Sequence, residues 1–77
     1  MSFEVVYAPA ARARLLNWIH WRVASDVDAA VIAFAETRAA TIQGGPAFEL
    51  RAAGYRIVVA VDRWERRVYV LRLYRAP

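Results

Sequence analysis

Along the first half of the chain apolar residues recur at helical spacing, and along the second half at every other position; the change falls at Ala47. Phe3 to Tyr7 reads as a short strand, rich in β-branched and aromatic residues. Pro9 suits the first position of a helix, where its missing N–H costs nothing. From there Ala11, Leu15, Trp18, Ile19 and Val23 follow helical spacing, which predicts a first helix running through His20 and Trp21 to Val23, with His20 a structural residue inside it. Ser25 and Asp28 have the spacing of a capping box and predict a second helix, capped by Ser25, whose apolar stripe is Val27, Val31, Phe34, Ala35 and Ile42. Gly44-Gly45-Pro46 supplies its stop. The short junction makes the two helices antiparallel neighbours.

The alternating half predicts three strands. Phe48, Leu50 and Ala52 alternate with Glu49 and Arg51. Tyr55, Ile57, Val59 and Val61 alternate with Arg56, Val58, Ala60 and Asp62. Tyr69, Leu71 and Leu73 alternate with Val70, Arg72 and Tyr74. A two-residue turn at Ala53-Gly54 pairs Ala52 with Tyr55 and Arg51 with Arg56, and gathers the apolar set from Phe48 to Val61 on one face. For the second hairpin, a four-residue loop from Arg63 to Arg66 would turn Tyr69, Leu71 and Leu73 away from that face. A loop of three or five residues turns them onto it. Burying a large apolar side chain is worth roughly 1.5–3 kcal/mol, so the odd loop is expected. Tyr74 then lies opposite Arg56 and Arg72 opposite Val58. The other face collects Glu49, Arg51, Arg56, Arg72 and Tyr74 over a floor of Val58, Ala60 and Val70. The fold expected is a single α+β domain over residues 1–77, β-α-α-β-β-β, a helical hairpin packed on an antiparallel sheet.

Composition narrows the chemistry. The net charge is +4 over 77 residues, all eleven basic residues are arginine, and there is no cysteine. Schiff-base chemistry is excluded, as are disulfides and cysteine-based metal sites. With one histidine, neither a metal site nor a cofactor is expected. Arginine stays charged and grips phosphate in a planar fork, so the basic balance favours nucleic acid or an acidic protein as partner. Met1-Ser2-Phe3-Glu4 lacks a basic leader, and no apolar run approaches about 18 residues, so a cytoplasmic chain with no membrane contact is expected. Arg12, Arg14, Arg22 and Arg38 read as a solvated helix face. Trp18 and Trp21 read as core and surface-groove residues. With the exposed sheet face, these tryptophans suggest a homodimer.

The last third carries a resemblance. Leu50-Arg51, Gly54, Tyr55-Arg56, the run Ile57 to Val61, Asp62, and Val68 to Arg72 together resemble the RelE/ParE superfamily of type II toxin–antitoxin systems. The order of elements extends that likeness over nearly the whole chain. The resemblance implies a toxin that cleaves mRNA on the ribosome and is neutralised by a cognate acidic antitoxin. By position in the motif, Arg56 matches a basic residue on the "YR" strand, Tyr74 a terminal aromatic, and Arg72 an arginine just before it. RNA contacts from Arg51, Arg56, Arg72 and Arg75 are expected, with catalytic roles for Arg56, Arg72, Tyr74 and Glu49. The role of Glu49 rests on the direction it faces, not on the family pattern. The lysines that RelE uses are absent, and residues 44–47 offer no substitute for the extra contributor that many relatives carry there. The resemblance leaves two further functions open: a ParE-like inhibitor of DNA gyrase, and a non-catalytic module that binds RNA or protein.

Overall fold

The computed structural model describes residues 3–42 and 47–77. In chain order these form β1 (Glu4–Tyr7), α1 (Pro9–Asn17), α2 (Trp21–Thr37), a single 3-10 turn (Ala39–Thr41), β2 (Phe48–Ala52), β3 (Tyr55–Asp62) and β4 (Arg67–Arg75). The two helices pack on a four-stranded sheet of order β1-β4-β3-β2. The three C-terminal strands are antiparallel, as expected, but β1 joins β4 in parallel, so the sheet is mixed.

The helices divide earlier than the capping-box spacing predicts. α1 ends at Asn17, and α2 begins at Trp21 with His20 as its N-cap. The imidazole Nδ1 accepts the Arg22 backbone N–H at 3.2 Å. Ser25 is therefore interior to α2, and its predicted cap does not form. Burial explains the shift. Val23, Ala24, Val27, Val31, Phe34 and Ala35 make one continuous stripe toward the core, which needs a helix already running at Val23. Ile19 reaches the same core from the junction, while Trp18, expected inside, is 80% exposed. α2 gives way to the 3-10 turn after Thr37, which buries Ala39. The Gly44-Gly45-Pro46 stop lies outside the described residues, as does the side chain of Phe48.

Asp28, expected in the capping box, instead accepts the Tyr7 hydroxyl at 2.7 Å and so ties β1 to α2. Partial burial, then the bond to Asp28, then the Asp28 charge hold the Tyr7 phenol above its ordinary value of 10.0. Unfolded Tyr7 ionises near pH 10.0, where the folded phenol keeps its proton. The stabilisation is thus complete below that pH and is lost as pH climbs through the folded value. Urea melts are expected to weaken above pH 10 in the wild type and less so in Tyr7→Phe, which itself costs about 1 kcal/mol at neutral pH.

The first hairpin turns as expected. Ala53 (φ 53°) and Gly54 (φ 80°) both occupy the left-handed region, the signature of a tight primed turn. Ala52 faces Tyr55 and Arg51 faces Arg56.

The second hairpin departs from expectation. Its loop is the four-residue one, with Asp62 opposite Arg67. Asp62 fixes it: one carboxylate oxygen accepts the backbone N–H groups of Trp64 and Glu65, each at 3.0 Å. Apolar burial is recovered further along by a register shift. Val59 faces Val70, yet Val58 faces Arg72, so Leu71 is an extra residue in a β-bulge. Before the bulge Val68 and Val70 enter the core; after it Leu73 does. Tyr69 therefore takes the place predicted for Val70 on the opposite face, beside Ala60. Tyr74 still faces Arg56 and Arg72 still faces Val58, as the odd loop predicted.

Candidate functional site

The face turned away from the helices carries two adjacent rungs across β2, β3 and β4. Arg51, Arg56 and Tyr74 form one, and Glu49, Val58 and Arg72 the next. Strand spacing makes this array about 10 Å wide and about 7 Å deep, the scale of a phosphodiester with its flanking riboses.

Glu49 organises the basic end. Its two carboxylate oxygens accept from different arginines, Oε1 from Arg51 Nε at 3.3 Å and Oε2 from Arg56 Nε at 3.1 Å. The Arg51 side chain is 69% exposed and that of Arg56 is 39% exposed. Pairs this open add little to stability, and their effect is to hold the guanidinium groups in place. Arg56 also lies over the Tyr74 ring, 5.6 Å from its centroid. Arg72 Nη1 donates to the Tyr74 hydroxyl at 3.2 Å. A single chain of contacts thus runs Arg51–Glu49–Arg56–Tyr74–Arg72, cationic at both ends.

Five of the six expected site residues therefore converge: Glu49, Arg51, Arg56, Arg72 and Tyr74. Arg75 does not join them. It faces Tyr55 across the ladder and so falls on the helix-side parity at the end of the sheet. At the opposite end of the same face, Arg67 pairs with Glu4 at 3.0 Å, which leaves that end without the concentrated positive charge. Among the described residues no group of three or more His, Cys, Asp or Glu side chains comes together to hold a metal ion. No helix of the described residues is long and apolar enough to cross a membrane.

One element of the surroundings escaped the sequence reading. β1 ends opposite Val70, where Ala8 N–H donates to the Val70 carbonyl at 2.8 Å. Beyond that point α1, not a strand, lies beside β4. A groove of about 600 Å³ opens between them, and Arg72 and Tyr74 form its rim on the sheet side. The parallel pairing of a four-residue strand had no signal in the sequence.

No protein-family model matches the sequence, and no curated protein matches it. Solved structures do. The chain is similar to one in the toxin–antitoxin complex RelBE2 from Mycobacterium tuberculosis, at 23% identity and a TM-score of 0.68, over 97% of this chain and 99% of that one. It is similar also to one in the intact E. coli RelBE toxin–antitoxin complex, at 18% identity and a TM-score of 0.70, over 99% of each chain. At these identities the likeness shows the fold, and it is the RelE-like fold that the sequence resemblance implied.

Proposed function

We propose that this chain is the toxin of a type II toxin–antitoxin pair and cleaves mRNA on the ribosome. What carries the reading is the convergence of Arg51, Arg56, Arg72 and Tyr74 around Glu49 on one open sheet face. The fold shared with chains of two RelBE toxin–antitoxin complexes supports it.

The chemistry follows from the side chains. The RNA 2′-oxygen attacks the adjacent phosphorus, the 2′-hydroxyl proton passes to a base, and the bond to the 5′-oxygen breaks. The products are a 2′,3′-cyclic phosphate and a 5′-hydroxyl. Negative charge builds on the phosphorane oxygens, and Arg56, with Arg51 and Arg72 on either side, neutralises it. Tyr74 serves as the acid: its oxygen accepts from Arg72, so its own proton is available to the departing 5′-oxygen. Glu49 is the carboxylate of these two rungs and the group to take the 2′ proton, once RNA phosphate draws the two arginines from it.

Expression without an antitoxin is expected to arrest growth, with amino-acid incorporation falling and plasmid supercoiling unchanged. A cognate acidic antitoxin covering the Arg56 and Arg72 face relieves the arrest. The second reading, inhibition of DNA gyrase by binding, draws support from the double engagement of Glu49, which leaves no unpaired carboxylate among the described residues of these two rungs. Plasmid relaxation with intact translation would favour it over cleavage.

A further inference from the structure

The groove between α1 and β4 begins where the candidate site ends. Its sheet side is Arg72, Leu73 and Tyr74, and its far side includes Arg14 and Trp18 of the α1 end. Trp18 stands at the C-cap of α1, its backbone N–H bound to the Arg14 carbonyl at 3.0 Å, and its side chain is 80% exposed. A hydrogen-bonded helix end thus presents a bare indole to solvent, which packing does not account for. Two further observations say what covers it. The groove lining holds two arginines and no carboxylate. From Ala8 to Ser25 the chain carries Arg12, Arg14, Arg22 and His20, again with no Asp or Glu. A cationic groove with one aromatic group on its helix side and one on its sheet side is the chemistry of a single-stranded nucleic-acid track, in which bases stack and arginines follow the phosphates.

Resting on the cleavage reading above, we infer that the RNA strand runs on from the scissile phosphate into this groove, with Trp18 stacking on a base and Arg14 holding a phosphate. These two residues bind and position the substrate strand and take no part in the bond-breaking step. They set the grip on the RNA, whereas Arg56 and Tyr74 set the rate.

The test uses the full chain and a short single-stranded RNA with 2′-O-methyl groups, which binds but cannot be cut. Trp18→Ala is expected to weaken binding about ten-fold, and Trp18→Phe to restore most of it. Arg14→Ala is expected to weaken binding and to lower the log–log salt slope by about 0.7, one phosphate contact, while Trp18→Ala leaves that slope unchanged. In ribosome-dependent cleavage both changes raise KM and leave kcat in place. Thermal melts of both variants match the wild type, since both side chains are exposed. Unchanged RNA affinity in Trp18→Ala, with Arg56→Ala still blocking cleavage, overturns the groove and leaves the cleavage reading intact. Unchanged RNA affinity with weakened capture of the antitoxin overturns it in favour of a protein surface. A wild type that arrests growth without cutting mRNA overturns the cleavage reading itself.

Discussion

Arg56→Ala should abolish growth arrest and leave the protein folded. Arg56 sits at the centre of the site, 3.1 Å from Glu49 on one side and over the Tyr74 ring on the other. Removing it takes away the cation that touches both the Glu49 carboxylate and the Tyr74 ring. Loss of one such group from a charge-stabilising site typically costs about 10²–10³ in rate, enough to bring a toxin below the level that stops growth. Stability should hardly move. The Arg56 side chain is 39% exposed, and half-open ion pairs of this kind contribute about 0–1 kcal/mol. Arg56→Lys keeps the charge but loses the planar fork, and partial activity is expected of it. The assignment fails if Arg56→Ala, folded and expressed as the wild type, still arrests growth.

Ile57→Ala should do the reverse. Ile57 is the next residue along β3, fully buried, facing Leu50 on one side and Leu73 on the other. Truncating a buried isoleucine costs about 2–5 kcal/mol, from lost transfer energy and the cavity left behind. A domain of this length has a total stability of roughly 4–12 kcal/mol, so the variant forfeits a large share of it. Urea denaturation should show a much lower midpoint at an unchanged slope. Whatever fraction stays folded should keep its specific activity. Two adjacent residues then separate the functions of the two faces, and a stability loss in Arg56→Ala as large as that in Ile57→Ala would refute the separation.

The site was more legible in the sequence than the path of the chain that builds it. Alternation from Phe48 to Tyr74 identified two faces, because a period of two leaves a side chain only two directions. The residues near the Ala53-Gly54 turn were placed correctly because the turn fixes their register. The region near Arg63 to Arg66 was not. Parity reasoning counts loop residues and has no term for a bulge, so it assigned to the loop a correction that Leu71 makes within the strand. The outcome for Arg72 and Tyr74 was the same, since either device inserts one residue between Asp62 and Arg72. For Tyr69 and Val70, between loop and bulge, it was reversed. In the helical half, Ser25 and Asp28 had the right spacing for a cap, yet the continuous stripe from Val23 outweighed a local preference worth about 1 kcal/mol. His20 capped the helix from a position where its ring also stacks on Trp21, at 5.8 Å between centroids. The parallel docking of β1, and with it the groove beside β4, depends on a contact more than sixty residues away along the chain, such as Glu4 with Arg67.

The ends of the RNA fragments report on the central claim most directly. Total RNA from cells expressing the wild type, beside cells expressing Arg56→Ala, can be mapped for 5′-hydroxyl ends and for 2′,3′-cyclic phosphates. The open arginine face predicts both kinds of end within translated mRNA in the wild type, and neither above background in Arg56→Ala. Intact mRNA during full growth arrest would contradict it.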